Sequence, residues 1–376
     1  MRILIVTDYF YPHWTGISKS LYYLIKTNIE ELKFDVLTTR YKKELKNQEK
    51  IFKTIIYREP YIFSMSRVKY SILVISKFIE LIGNYDGVLI NSPCSNILPI
   101  SLLTKIFNKK LFVFHQGDLI LPKGIVNKIL EKIFDLSTIT SFFISNKVST
   151  YTKDYAINSR VIKPFINKFT PLLMPITINK KNNNKNNHIY KKLLKLKKEK
   201  KTIFGFAGRF VEEKGFDILL DAIPKIVKKN PNVHFIFAGD TKIDYEDFYK
   251  NNLNKISISK SFFSSLGLLK DNDLNFFYNY IDFIVIPSRS DCFPLVQVEA
   301  MLSGKPAIVS DIPGARVLVK ETGFGLIFKE NSVEDLKDKI LMAISKRGSL
   351  LKNKNKILSI LDINNNAKKI RAYFTK

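Results

Sequence analysis

The chain has 376 residues, 45% hydrophobic and 12% aromatic, which is enough for two domains with well-filled cores. No apolar run approaches the roughly 20 residues needed to cross a bilayer, and Cys94 and Cys292, far apart and outside any CxxC or Cys/His cluster, argue against a disulfide framework or a zinc site. The formal net charge of +27 leaves nucleic acid, an anionic membrane surface and acidic or phosphorylated substrates as partners, beside a plain bias toward lysine and asparagine visible in Lys180 to Asn187 (KKNNNKNN).

The opening reads strand, loop, helix, strand. Arg2 to Thr7 is short and apolar, so it reads as a first buried strand and not as a signal sequence, and the expected location is the cytoplasm. An aromatic loop, Asp8 to Gly16 (DYFYPHWTG), leads to a helical pattern over Ile17 to Leu32 and a β-branched run over Phe34 to Thr39, together a βαβ unit. Further strands are expected at Gly87 to Ile90, Leu111 to Phe114, Phe142 to Ser145 and Arg160 to Ile162. This alternation implies a parallel sheet covered on both faces.

Between residues 176 and 201 the pattern lapses into a Lys/Asn-rich linker with a short basic helix candidate, Tyr190 to Lys200. It restarts with strands at Thr202 to Ala207, Val233 to Ala238, Phe283 to Ile286, Ala307 to Ser310 and Gly325 to Phe328, and helices at Gly215 to Lys229, Pro294 to Ser303 and Val333 to Ser345. The expected organisation is therefore α/β: a Rossmann-like domain over 1–175, the linker, a second such domain over 202–355, and a C-terminal helix over 356–376 that packs back on the first domain. Two doubly wound halves of this kind face each other across a cleft, and ligands gather outside the C-terminal strand ends.

Two motifs lie at such ends. GFAGRFVEEK (Gly205 to Lys214) places Arg209 and Lys214 just beyond an apolar strand. A guanidinium and an ammonium converging there would grip a phosphate pair and stabilise its charge as it departs. PSRSDCFPLVQVEAMLSGKP (Pro287 to Pro306) places Asp291 before a helix start, Pro294 at the first helical position and Glu299 about one and a half turns inside. Phe293, Pro294 and Leu295 then present the helix mouth, whose free N–H groups suit an anion or the oxygen-rich face of a sugar, while Glu299 offers a bidentate acceptor to vicinal hydroxyls. His115 closes a strand ahead of Gln116-Gly117-Asp118, and Gly16 would let the backbone approach a phosphate. Taken singly, each has a plainer reading: a basic turn, a solvent-facing glutamate, a helix-cap aspartate, a satisfied structural histidine.

Assembled, the chain resembles the retaining glycosyltransferases of family 4, the glycosyl transferases group 1, with the GT-B fold. The resemblance runs through the first-strand loop with Gly16, the His115 region, Gly208-Arg209 with Lys214-Gly215, Gly239-Asp240, Pro287-Ser288, the acid-x7-acid pattern from Asp291 to Glu299, and Gly304-x-Pro306. It departs where the first acid, usually Glu, is Asp291, and where the usual first-loop glycine pair reads Thr15-Gly16. The resemblance implies that Arg209 and Lys214 contact a donor diphosphate, Glu299 the ribose and Asp291 the donor sugar, with backbone assistance from Phe293 to Leu295. His115 would lie by the donor sugar, Gly16 by the phosphate, and Leu269 by the base.

It further implies an N-terminal domain that binds a glycan or lipid-linked acceptor, a C-terminal domain that binds the nucleotide sugar, and metal-independent hexosyl transfer with no cofactor beyond the donor. No residue stands out as a nucleophile, which favours same-face departure and attack. A sugar-nucleotide epimerase and a catalytically silent nucleotide-sugar-binding protein share the fold as alternatives, and a nucleic-acid-binding protein finds no reading motif here. The lysine-rich Tyr41 to Lys53 and the mixed apolar and basic Ser64 to Ile82 are candidate contacts with an anionic inner membrane face. A buried domain helix explains Val68 to Ile82 equally well.

Overall fold

A computed structural model describes residues 1–65, 68–121, 124–178, 188–243, 246–269 and 271–375. The Lys180 to Asn187 run lies outside them, as do Ser66 and Arg67 of the Ser64 to Ile82 stretch. The chain divides into two compact units, Met1–Ile176 with Asp362–Lys376, and Thr177–Leu361.

The first unit is built on β1 (Arg2–Thr7), β2 (Lys33–Arg40), β3 (Gln48–Ile51), β4 (Thr54–Pro60), β7 (Gly87–Ser92), β8 (Lys110–His115), β9 (Lys147–Thr150) and β10 (Phe169–Pro171), with β5 (Phe63–Met65) and β6 (Val68–Tyr70) as a separate antiparallel pair. The large sheet runs β10-β9-β8-β7-β1-β2-β4-β3 and is parallel except at β3. Its central strands are buried at nearly every position because helices cover both faces. The C-terminal helix Ile363–Thr375 belongs to this unit: Lys147 Nζ donates to the Tyr373 carbonyl at 2.8 Å, and the Phe374 ring packs against Phe34 and Phe112.

Two expected strands are replaced. Phe142 to Ser145 is the last turn of a 20-residue helix, Ile125–Ile144, and its cap. The local run is apolar in either geometry, and helical spacing decides it, since Phe142 is buried while Phe143 faces out. Arg160 to Ile162 is a turn in which the Ser159 hydroxyl accepts the Val161 and Ile162 N–H groups, so those donors never join a ladder; the edge strand is β10. The first helix stops at Lys26, short of Leu32.

The second unit is a six-stranded parallel sheet of β11 (Thr202–Ala207), β12 (Val233–Ala238), β13 (Phe263–Ser265), β14 (Phe283–Ile286), β15 (Ala307–Ser310) and β16 (Gly325–Phe328) in the order β13-β12-β11-β14-β15-β16. Register puts Phe204 opposite both Phe235 and Phe283, so three rings stack across the sheet centre at 5.3 and 5.2 Å. On the other face Gly205 leaves room for the helix Asp271–Tyr280, for a Cβ there would lie 2.7 Å from the Phe277 ring. Asp282, 3% exposed, ties the sheet's other end together: it accepts Lys197 Nζ at 2.6 Å, Arg347 Nη2 at 2.6 Å and the Ile203 N–H at 2.8 Å. Asp282→Ala strands two cations and a buried strand N–H, and a loss of about 3 kcal/mol is expected in urea unfolding; an unchanged midpoint would show that solvent replaces the carboxylate without cost.

Candidate active site

Strand order reverses between β11 and β14, and in a parallel sheet the loops leaving both strands emerge on the same edge. The loop after β11 carries Arg209 and Lys214, and the loop after β14 carries Asp291, Phe293 and Pro294. The two are locked by backbone. Gly215 adopts φ +64°, and a Cβ on it would lie 1.9 Å from the Pro287 carbonyl oxygen, so only glycine lets the first loop turn into its helix, Phe216–Lys229, against the second. The Glu213 carbonyl accepts the Arg289 N–H at 2.8 Å. The Arg289 guanidinium grips Asp217 through two bonds of 2.9 and 2.7 Å and donates to the Glu212 carbonyl at 2.7 Å.

Against this frame Lys214 Nζ meets Asp291 Oδ2 at 2.6 Å, both side chains being mostly buried. Ser288 Oγ stands 3.4 Å from the same oxygen. Arg209 is the more open cation, its guanidinium 3.1 Å from Glu213 Oε1. Leu269 is half-buried two residues beyond Gly267, whose carbonyl accepts the Gly239 N–H at 2.8 Å, and a Cβ on Gly239 would sit 1.8 Å from the Gly208 carbonyl oxygen. The loops after β11, β12 and β13 therefore pack backbone to backbone, placing Leu269 at the same sheet edge.

Pro294 is the residue before the helix Leu295–Leu302, not its first: ψ of 106° is extended, while its carbonyl already accepts the Gln297 N–H at 3.0 Å. No side chain caps this helix, and Phe293, Pro294 and Leu295 are buried around its start. Glu299 is 1% exposed, with Oε2 taking the Tyr278 hydroxyl at 2.7 Å. Sequence reasoning missed Tyr278 and Arg289, whose roles exist only through partners remote in the chain. It also missed Gly314, at φ +88°, where a Cβ would lie 1.9 Å from the Cys292 carbonyl oxygen; a Pro-Gly turn was the available signal.

The remaining candidates belong to the first unit. Gly16 opens the helix Gly16–Lys26 behind a capping box of Thr15 and Ser18, and a Cβ there would meet nothing within 4 Å. His115, 2% exposed, has both ring nitrogens engaged, Nδ1 with Ser92 Oγ and Nε2 with Asp118 Oδ1, each at 3.0 Å. Nε2 thereby holds Asp118. Burial pushes the Asp118 carboxyl up, but the hydrogen bond and charge of His115, with Ser159 and the Arg160 N–H, bring it down to about 2. At the first sheet's own reversal, between β1 and β7, Asp8 accepts the Ser95 N–H and hydroxyl, and burial outweighs these bonds to push its carboxyl up to about 6. Among the described residues no three His, Cys, Asp or Glu side chains gather to hold a metal ion.

Residues 191–359 match the family Glycosyl transferases group 1. Over 362 residues the chain is 29% identical to an uncharacterized glycosyltransferase of Methanocaldococcus jannaschii, covering 92% of this chain and 89% of the relative. The family match, this relative and the fold together support a group 1 glycosyltransferase. This glycosyltransferase is also 30% identical over 162 residues to a glycogen synthase of Thermodesulfovibrio yellowstonii, covering 42% of this chain and 30% of that one. Its fold is GT-B: Anabaena HepE in complex with UDP superposes at a TM-score of 0.74 with 16% identity over all of both chains, and the trehalose-6-phosphate synthase OtsA at 0.74 with 12% identity over 99% and 98%.

Two outcomes are expected of this glycosyltransferase. Gly215→Ala, forced into positive φ against a carbonyl, should lose at least about 2 kcal/mol in urea unfolding, whereas Gly16→Ala should lose less than about 1. Because Asp118 titrates lower folded than unfolded, its stabilisation is present above about pH 4 and fades as pH falls toward about 2. Asp118→Asn should therefore be less stable by about 2 kcal/mol at pH 7 and converge on the wild type near pH 2; parallel curves across that window would remove the linkage.

Proposed function

We propose that this glycosyltransferase moves a hexose, with retention of configuration and without a metal, from a nucleoside diphosphate sugar to a glycan or lipid-linked acceptor in cell-surface polysaccharide or glycolipid synthesis. The observation that carries this reading is the 2.6 Å pair of Lys214 and Asp291 before an uncapped helix start at the strand-order reversal. Fixed cations, a helix N-terminus and a carboxylate are then offered within one small region of the sheet edge, as a diphosphate bonded to a sugar requires. The UDP and UDP-plus-glucose complexes of Anabaena HepE support a nucleotide-sugar donor, and UDP-hexoses are the first to test, GDP-hexoses the second.

In this reading Arg209 and Lys214 hold the diphosphate, the backbone N–H groups of Phe293 and Leu295 on either side of Pro294 assist, and Asp291 takes donor sugar hydroxyls as its bond to Lys214 is shared. Glu299, oriented by Tyr278, takes the ribose hydroxyls, Leu269 lines the base, and Gly16 admits a phosphate close to backbone. His115 lies by the donor sugar and, through Asp118, holds the loop that follows its strand. The bond from the anomeric carbon to the phosphate oxygen breaks as the acceptor oxygen bonds on the same face. The departing oxygen takes the acceptor's proton, and the cations stabilise the charge that develops on it. The enzyme would work in the cytoplasm, on the inner face of the membrane where the acceptor is lipid-linked.

Lys214→Ala should lower turnover of the preferred UDP- or GDP-hexose by about 100-fold or more and abolish the thermal shift the nucleotide gives the wild type. Wild-type rates in that variant would remove Lys214 from the mechanism. Donor binding with no turnover on any acceptor would instead favour the catalytically silent reading.

A further inference from the structure

The helix Ile125–Ile144 packs on the first unit through an inner face where Thr138, Ser141 and Phe142 are buried. Its outer face is apolar apart from Thr140, whose hydroxyl donates to the Leu136 carbonyl: Ile125, Val126, Ile129, Ile133, Leu136 and Phe143 are exposed by 80, 65, 53, 55, 67 and 72%. At about 100° per residue these six fall within an arc of about 100°, forming one stripe about 27 Å long. A surface helix ordinarily turns its apolar stripe inward, and a contiguous exposed one marks a surface that is covered in use. Leu102 and Ile106, on the neighbouring helix Ile97–Ile106, are exposed as well.

The charges around the stripe indicate what covers it. Lys128 and Lys132 are exposed along one border, the same helical arithmetic placing them within about 60° of Ile125. At the far end Lys168 Nζ donates to the Phe143 carbonyl at 2.7 Å and stands 5.7 Å from the Phe143 ring centroid. The helix's acids lie further round and are engaged: Glu131 accepts the Leu121 N–H at 2.6 Å, and Asp135 is bridged by Arg160 at 2.6 Å. An isologous contact with a second copy would set these lysine borders against each other without a facing acid, whereas a surface that is apolar inside and anionic outside meets stripe and border together.

We propose that the outward face of the helix Ile125–Ile144 docks on an anionic lipid bilayer, with Ile129, Ile133, Leu136 and Phe143 at the acyl boundary and Lys128, Lys132 and Lys168 on headgroup phosphates. The lysine-rich Tyr41 to Lys53 and the Ser64 to Ile82 stretch are secondary to it. This surface rests on exposure and charge, not on the donor chemistry above, though it gives the lipid-linked acceptor of that reading a physical route to the enzyme.

The test is co-sedimentation of the full chain with phosphatidylcholine vesicles, with and without phosphatidylglycerol. The wild type should pellet with the anionic vesicles at low salt, far less with the neutral ones, and less again at high salt. Ile129→Ser/Ile133→Ser/Leu136→Ser and, separately, Lys128→Glu/Lys132→Glu should each lower partitioning by about tenfold or more. The charge variant keeps every apolar contact, so it remains informative should the serine variant unfold early. Both should keep the wild-type thermal shift with nucleotide sugar, which separates failure here from failure of the donor site. Wild type that stays in the supernatant with anionic vesicles, or variants that pellet like the wild type, would overturn the proposal. So would a wild-type dimer that the serine variant dissolves, since the stripe would then be covered by a second copy.

Discussion

The second unit depends on one close approach, the backbone of Gly215 against the carbonyl of Pro287. Because no side chain stands between them, the loop after β11 and the loop after β14 share a wall instead of lying apart on the sheet edge. Everything offered to a ligand follows from that: Lys214 precedes the glycine by one residue, Asp291 follows the proline by four, and the two side chains meet. Arg289 reinforces the same seam from the other side by bracing Asp217 and Glu212.

The electrostatics follow the same plan. A mostly buried lysine next to a carboxylate is restricted in its rotamers, so part of its side-chain entropy is lost on folding. Arg209 is more open and pairs with Glu213 one turn away. The two cations thus differ in kind, a mostly buried point charge and a more exposed planar fork. Glu299 is different again. It is buried behind the helix start, and the Tyr278 hydroxyl fixes one of its oxygens, so it presents a shape as much as a charge.

In the first unit the equivalent reversal is closed by Asp8 and Ser95, not left open by glycine, and His115 is consumed by Ser92 and Asp118. The register that sets Ser92 opposite His115 makes that bond almost unavoidable once β7 and β8 pair. Where the unit is unusual is its surface, since the helix Ile125–Ile144 turns apolar side chains outward among lysines while Thr138, Ser141 and Phe142 are buried and Ile139 and Ile144 pack against the core.

Local chemistry was enough to determine much of this protein. Period-two and unbroken apolar runs fixed β1, β7, β8, β11, β12, β14 and β15, and turn residues marked the loops in which Arg209, Lys214 and Asp291 stand. It failed at Phe142 to Ser145, where an apolar run fits either period, and at Pro294, where one residue separates cap from helix. Only the tertiary structure decided which charges pair, since Lys214 and Asp291 are 77 residues apart, Arg289 and Asp217 72, and Tyr278 and Glu299 21. It alone made Gly215, Gly239 and Gly314 obligatory, because the atoms that forbid a Cβ come from Pro287, Gly208 and Cys292. The physical reason is common to all of these: periodicity records what a residue's near neighbours allow, whereas strand order decides which distant segment arrives beside it.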